Sequence, residues 1–198
     1  MARDRAARPE AAPLRLFVAV DVPEAVRRGL ARTVEPFRGR VPGARWTRPE
    51  GWHVTLKFLG STWPRLLEEV KEALRKAAGG AAPFETRLTE VGVFPGPGRA
   101  RVIWAGLADS EGRFGPLVRA LDELLAAHFR VEKRAFTPHL TLARVDPPVD
   151  LRAAAPELLG LRVDSEPFAV DRLVLYRSHL SPAGARYEPL HAVPLGEG

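Results

Sequence analysis

The chain contains no cysteine among its 198 residues. Disulfide bonds, thiolate metal sites and cysteine nucleophiles are therefore excluded, and a reducing compartment such as the cytoplasm is the expected location. Long hydrophobic runs are also missing. The apolar stretch at residues 16–20 ends at Asp21, so it is too short for a membrane span or a secretory signal, and we expect no contact with a membrane.

Lysine is scarce, with four copies among thirty basic residues, so arginine carries most of the positive charge behind a net charge of +6. A guanidinium group matches the geometry of phosphate oxygens, which favours an anionic partner. A codon bias toward arginine, alanine, glycine and proline would give the same composition, so the charge alone is weak support. Residues 1–13 are rich in Arg, Ala and Pro, and we predict a disordered lead-in there.

Two sequence patterns occur twice, and in both cases the copies lie 86 residues apart. A stretch at residues 15–20, an arginine followed by apolar residues, has its counterpart at 101–106, and a His-x-Thr-Leu motif at 53–56 has its counterpart at 139–142. Two unrelated patterns rarely share one offset by accident. The chain is therefore predicted to be a duplicated unit.

We predict a single bilobal domain over residues 14–198, composed of two repeats at about 14–98 and 99–196. Apolar periodicity places both strands and helices in each repeat, which is typical of an α+β fold. The two lobes are expected to be related by a pseudo-two-fold axis, with antiparallel sheets lining a central cleft and helices outside. The predicted strands lie at residues 14–22, 46–47, 53–59, 84–94, 101–107, 139–145, 168–176 and 186–194, and the predicted helices at 23–37, 64–78 and 114–129.

Each motif presents one imidazole and one hydroxyl on the same face of a strand, because side chains alternate along a strand. His53 and Thr55 share that face in the first copy, and His139 and Thr141 share it in the second. Two imidazoles that face one cleft suit acid–base cleavage of a phosphodiester, since one can accept a proton while the other donates one. The threonine hydroxyls can donate to non-bridging phosphate oxygens. This chemistry needs no metal and no other cofactor.

Two basic residues near the motifs are candidate phosphate contacts. Strict alternation places Lys57 on the cleft face, although its counterpart in the second repeat is Ala143. The same alternation places Arg144 on the opposite face. Arg144 contacts phosphate if a bulge turns it inward or if it acts from the end of the strand; otherwise it is a surface residue.

The motifs and their surroundings resemble the two-histidine (2H) phosphoesterases, and among them the bacterial and archaeal RNA 2′,3′-cyclic phosphodiesterases, also called 2′-5′ RNA ligases. The resemblance covers the chain from about residue 14 to residue 195. The segments that carry it are 15–23, 52–60, 92–95, 136–144, 178–180 and 184–187.

The resemblance implies an enzyme that hydrolyses the 2′,3′-cyclic phosphate at the end of an RNA to a 2′-phosphate. It implies that His53 is the proton donor to the leaving 3′ oxygen and that His139 is the proton acceptor that activates water. Thr55 and Thr141 match the phosphate-binding hydroxyls of the family. The two histidines would exchange roles in the reverse direction, which we associate with weak 2′-5′ joining.

Three other functions stay open on the sequence. A phosphodiesterase acting on a small cyclic nucleotide or on a 2′-5′-linked oligonucleotide would keep the fold and change the substrate. A non-catalytic RNA-binding module would use the basic cleft alone. A metal hydrolase would need three or more convergent ligands, whereas the motifs supply two histidines and no acidic residue. A monomer is expected, because one duplicated chain supplies both halves of the cleft.

Overall fold

The computed structural model describes residues 12–182 and 184–196. The predicted lead-in at residues 1–13 lies almost entirely outside this part of the chain. Ten strands and four α-helices follow one another in the described residues, with single 3-10 turns between some of them. In chain order they are β1 (Leu14–Asp21), α1 (Glu24–Val34), β2 (Ala44–Trp46), β3 (His53–Thr62), α2 (Leu67–Gly79), β4 (Phe84–Thr86), β5 (Leu88–Phe94), β6 (Ala100–Leu107), α3 (Phe114–Leu124), β7 (His139–Val149), α4 (Leu151–Ala154), β8 (Phe168–Val170), β9 (Arg172–Ser181) and β10 (Gly184–Pro194).

Eight of these strands form one antiparallel sheet in the order β10-β9-β1-β3-β7-β6-β5, with β2 also paired to β7. The two motif strands, β3 and β7, lie side by side in the middle of this order. They pair through Val54 opposite Leu140, the residues that follow the two motif histidines. The predicted α+β fold with antiparallel sheets is confirmed, and the two predicted sheets are halves of one sheet that join at the motifs.

Each half of the sheet takes strands from both halves of the chain. β9 comes late in the chain but pairs with β1, and β5 comes before the midpoint but pairs with β6. The sheet is therefore symmetric over six consecutive strands, because β9, β1 and β3 on one side correspond to β5, β6 and β7 on the other. The exchanged strands β9 and β5 tie the two lobes together.

Two of the predicted strands are each divided in two. The predicted strand at 84–94 is interrupted at Arg87, directly after the end of β4, and only its second part pairs with β6. Hydrogen bonds hold the chain at this interruption, since the Thr86 hydroxyl donates to the Ala108 carbonyl at 2.7 Å and the Ala108 amide donates to the Arg87 carbonyl at 2.9 Å. The predicted strand at 168–176 divides into β8 and β9, and β4 pairs with β8 in a separate two-stranded sheet.

The helices pack against one face of the large sheet. α1 begins after Pro23, where a missing amide hydrogen does no harm, and buries apolar residues one turn apart on a single side. The predicted helix at 114–129 ends at Leu124, because the chain beyond it forms tighter turns such as His128 N to Leu125 O at 3.2 Å. The opposite face of the sheet carries the motif histidines and lines the cleft.

A bulge in β3 interrupts the alternation of side chains after the first motif. Ala19 lies opposite Thr55 whereas Val18 lies opposite Lys57, so Leu56 has no partner on β1. Leu56 and Lys57 are consequently both buried on the helix side. The prediction that Lys57 faces the cleft is wrong, because it assumed an uninterrupted pleat.

The second motif strand has a bulge at the equivalent place. On β7 the residue without a partner is Leu142, between Thr141 and Ala143. Ala143 is buried, and Arg144 turns to the cleft face, where it lies opposite Val102 on β6. Of the three positions that the sequence left open for Arg144, the structure shows the one produced by a bulge.

β3 continues past the glycine at which the sequence predicted its end. A second shift in register places Phe58 opposite Phe17 and Gly60 opposite Leu16. Gly60 has a φ of 65°, in the left-handed region that glycine enters without a Cβ clash. The glycine therefore forms a bulge within the strand.

Candidate active site

The two motif histidines are held by the same backbone contact. His53 Nδ1 lies 2.7 Å from the carbonyl oxygen of Gly51, and His139 Nδ1 lies 2.7 Å from the carbonyl oxygen of Thr137. A carbonyl only accepts hydrogen bonds, so Nδ1 carries the hydrogen in both rings. Nε2 is therefore the atom of each imidazole that is available to exchange a proton with a substrate.

Aromatic rings surround His53 on three sides. Its ring stacks on Phe17 with centroids 4.6 Å apart, and the Tyr187 ring meets it edge-on at 4.9 Å. The Tyr176 ring lies further off, at 6.1 Å, and stacks on Phe17 at 5.3 Å. These contacts fix the plane of the imidazole, so that its freedom to rotate is small.

Burial among these rings lowers the pKa of His53 below its ordinary value, because an imidazolium loses hydration there. Two smaller influences oppose the change. The Gly51 carbonyl accepts a hydrogen bond from the ring, and the negative charge of Asp21 favours the protonated form. The protonation of His53 therefore depends on a balance between burial, which disfavours the charged ring, and the nearby Asp21 carboxylate, which favours it.

The strands beside the two motifs, β1 and β6, correspond with an offset of 85 residues rather than the predicted 86. Both stretches are largely apolar, so their likeness in sequence does not fix which residues face the motifs. The pairing in the sheet does fix it. The matched pairs are Ala19–Thr55 with Trp104–Thr141, and Asp21–His53 with Gly106–His139.

His139 has different neighbours from His53. The Phe94 ring meets it edge-on at 5.2 Å, and the Trp104 ring lies at 6.1 Å. The indole packs against two glycines, since a Cβ on Gly92 would come within 2.2 Å of the Trp104 ring and one on Gly106 within 3.1 Å. Gly92 is therefore needed to seat the tryptophan beside the second motif, and a side chain at Gly106 would crowd it.

Hydroxyl and guanidinium groups complete the face around the two rings. Thr55 and Thr141 are half-buried and share the face of their histidines. Arg144 is exposed, and its positive charge opposes the rise in the pKa of Tyr187 that burial causes. Tyr187 also contacts His53. Arg144, on the second motif strand, therefore reaches the side of the cleft on which the first motif lies.

Phe58 occupies the position on β3 that Arg144 occupies on β7. Its side chain is 63% exposed on the cleft face, and its ring lies 6.2 Å from that of Phe17. An aromatic ring this open to solvent leaves its face available for contact with a bound group. The cleft therefore has a charged side chain on one lobe and an open aromatic ring on the other.

Lys57 lies outside the site. It is 6% exposed and forms an ion pair with Asp122 on α3, and it donates a hydrogen bond to the Arg130 carbonyl at 3.0 Å. The other oxygen of Asp122 accepts from the Glu132 amide at 3.4 Å. The pair thus fastens the segment that leads into the second motif, which is a structural role.

Thr47 braces the bulge of the second motif strand. Its hydroxyl lies 2.9 Å from the Thr141 carbonyl and 2.8 Å from the Leu142 carbonyl, and its amide donates to the latter at 2.8 Å. The indole of Trp52 donates to the same hydroxyl at 2.7 Å. Trp52 precedes His53, so a short chain of hydrogen bonds connects the two motifs.

Within residues 12–182 and 184–196, no three His, Asp or Glu side chains converge as metal ligands would. No helix in that part of the chain is long and apolar enough to cross a membrane. The three remaining histidines contact surface partners away from the motifs. They are His128 near Glu69, His179 near Glu188 and His191 near Arg75.

The chain is similar to known proteins along most of its length. The model of the LigT like Phosphoesterase family matches residues 20–104 and 107–187. The chain belongs to the LigT-like phosphoesterases. The predicted membership of the 2H phosphoesterase superfamily is thereby confirmed.

Three similar proteins match this LigT-like chain along nearly their whole length. The RNA 2′,3′-cyclic phosphodiesterase of Methanothermobacter thermautotrophicus is 35% identical over 185 residues, which are 92% of this chain and 99% of the relative. TT0787 of Thermus thermophilus is similar in structure, with a TM-score of 0.75, 33% identity and coverage of 92% of this chain and 98% of that one. LigT of E. coli in complex with 3′-AMP gives a TM-score of 0.68 at 26% identity, covering 92% and 98%.

Several residues of the site were not predicted from the sequence. Asp21 and Tyr176 lie far apart in the chain and meet only through the pairing of β1 with its two neighbours. Tyr187 lies in one of the segments that carry the family resemblance, but its position in the sequence does not indicate contact with His53. For Asp21 a signal exists, since it is a charged residue directly after a run of five apolar residues at 16–20.

Proposed function

We propose that this LigT-like phosphoesterase is an RNA 2′,3′-cyclic phosphodiesterase, which opens the cyclic phosphate at an RNA end to a 2′-phosphate. The observation that carries the proposal is the pair of imidazoles on adjoining strands, each with Nδ1 bonded to a carbonyl and Nε2 free for proton transfer. The name of the relative that is 35% identical over 92% of this chain supports the RNA substrate.

The reaction needs one proton removed and one delivered. Water attacks phosphorus, and Nε2 of His139 accepts a proton from that water as the new P–O bond forms. The bond from phosphorus to the 3′ oxygen breaks, and the protonated Nε2 of His53 gives its proton to that oxygen. The products are a 2′-phosphomonoester and a free 3′-hydroxyl, and proton exchange with solvent restores both rings.

The lowered pKa of His53 fits the role of acid in a substrate complex. A less basic imidazole is a stronger acid once it is protonated. The negative charge of a phosphate bound beside it favours protonation, which offsets the effect of burial when substrate is present.

We propose that three side chains bind the phosphate and one binds the base. Thr55 and Thr141 donate their hydroxyl hydrogens to non-bridging oxygens, where the transition state gathers negative charge. Arg144 supplies a fixed positive charge on the same face. Phe58 offers its open ring for stacking by a nucleobase, an interaction worth about 1–3 kcal/mol in proteins that bind single strands.

The same proton roles serve 2′-5′ joining if a 5′-hydroxyl takes the place of water. The expectation that joining requires the two histidines to exchange roles is therefore wrong on chemical grounds. Exchange belongs to the opposite reaction, in which a 2′-5′ linkage is cleaved back to a cyclic phosphate.

The direct test of the proposal is incubation with RNA that ends in a 2′,3′-cyclic phosphate, beside mononucleoside 2′,3′-cyclic phosphates at equal concentration.

We expect the RNA to be converted to a 2′-phosphate with a higher kcat/KM than the mononucleosides. A 3′-phosphate product, or no turnover of any cyclic phosphate, would overturn the proposal. Faster turnover of the mononucleosides would favour the alternative in which the substrate is a small cyclic nucleotide. The catalytic and phosphate-binding groups all come from a single chain, so we further propose that the monomer is active and needs no metal. Gel filtration checks the oligomeric state, and EDTA treatment checks the metal requirement. We also propose a cytoplasmic location.

A further inference from the structure

The carboxylate of Asp21 is the feature that most clearly distinguishes the two histidines. Asp21 lies directly opposite His53 in the antiparallel pair of β1 with β3. Residues in such positions have their side chains on the same face and their Cα atoms about 4.5–5.5 Å apart. The matching position opposite His139 is Gly106, which has no side chain.

A hydrogen bond fixes the carboxylate in this place. The Tyr176 hydroxyl donates to Asp21 Oδ1 at 2.6 Å, a distance typical of a strong bond to a charged oxygen. Tyr176 also stacks on Phe17, the ring on which His53 rests. The carboxylate, the phenol and the imidazole are therefore parts of one packed group at the end of β1.

We propose that Asp21 is a positioning residue which, held by Tyr176, favours the protonated form of His53 and so supports the role of His53 as the acid. This inference rests on the proposed function, because it assigns roles within that reaction. Burial disfavours the protonated form of His53 and the Asp21 carboxylate opposes that effect, whereas the matching position opposite His139 has no side chain.

Other charged or titratable groups near His53 do not provide the same interaction. Burial raises the pKa values of both tyrosines, so they stay neutral at ordinary pH. The arginines near those tyrosines carry positive charge, which disfavours an imidazolium. The groups around His53 and the Asp21 carboxylate, with their elements, are Tyr176 and Arg172 on β9, Tyr187 on β10, Arg144 on β7, Arg15 on β1 and Arg27 on α1.

The experiment compares the pH dependence of hydrolysis by the native chain and by Asp21→Asn, with RNA ending in a 2′,3′-cyclic phosphate. An acid must be protonated, so loss of the carboxylate should move the alkaline limb of the profile to lower pH. Above the optimum we expect the rate to fall roughly threefold to tenfold, and below it to change by less than about twofold. Asp21→Glu should restore the native profile, and Asp164→Asn, which removes an exposed carboxylate on another segment, should leave the profile unchanged.

A second substrate separates an effect on the acid from a general disturbance of the site. Sulfur in place of the bridging 3′ oxygen leaves as a thiolate without needing a proton, so the rate deficit of Asp21→Asn should disappear with it. An Asp21→Asn profile that matches the native one, or an acidic limb that moves instead, would overturn the inference while the proposed function stands. Failure of the native chain to hydrolyse the RNA would instead remove the proposed function itself.

Discussion

Replacement of Lys57 by methionine separates a structural role from a role in phosphate binding. Lys57 and Asp122 are each 6% exposed, so the substitution leaves the carboxylate buried without its partner. Breaking a buried ion pair from one side costs about 3–5 kcal/mol, a large part of the roughly 5–15 kcal/mol that stabilises a typical domain. We expect the free energy of unfolding of Lys57→Met to fall by about that amount.

The measurement is urea denaturation followed by circular dichroism, together with KM for cyclic-phosphate RNA at a temperature where the variant is folded. The matched control is the double variant Lys57→Met with Asp122→Leu, which removes both charges and should recover most of the lost stability. KM should stay near the native value in both. A single variant with native stability and a strongly raised KM would contradict the structure and return Lys57 to the phosphate site.

Further substitutions test the remaining groups of the site. His53→Ala and His139→Ala should each lower kcat by roughly 10²–10⁴ without loss of fold, and retention of native rates by either variant would refute two-histidine catalysis. The native kcat/KM should follow a bell-shaped pH profile. Burial lowers the pKa of His53 in the free protein, so the alkaline limb of this profile should lie at lower pH than an ordinary histidine would give. An alkaline limb at higher pH than that would count against His53 as the acid. Arg144→Lys keeps the positive charge but loses the planar fork of the guanidinium, so KM should rise less than in Arg144→Ala. An equal rise in KM in the two variants would argue against a charge contact with the phosphate. Phe58→Ala should raise KM for RNA about fivefold or more at nearly constant kcat, whereas Leu124→Ala, on an exposed helix surface, should not.

The motifs themselves could be predicted from the sequence because their chemistry depends on residue type and local spacing. His53 with Thr55, and His139 with Thr141, share a face for the simple reason that they are two positions apart on a strand, with one residue between them. Two residues further along, this reasoning breaks down at the bulges. Strict alternation put Lys57 in the cleft, and no local signal in a largely apolar strand marks where an extra residue is inserted.

Long-range register is the other part that could not be predicted. The sequence suggested that β1 and β6 correspond with an offset of 86, which would match Asp21 with Leu107. The sheet pairs them with an offset of 85, so that Asp21 corresponds to Gly106. A one-residue change of register reverses which side chains face the cleft, and for that reason the asymmetry between the two histidines became visible only in the structure.

The central claim is that two imidazoles open a terminal cyclic phosphate on RNA by expelling the 3′ oxygen. The most direct measurement follows a 5′-labelled RNA ending in a 2′,3′-cyclic phosphate and identifies the new terminus by phosphorus NMR and by comparison with authentic 2′- and 3′-phosphate standards. The native chain should give the 2′-phosphate alone, and the variant lacking both His53 and His139 side chains should leave the cyclic phosphate intact. A 3′-phosphate product, or turnover by the double variant, would contradict the account.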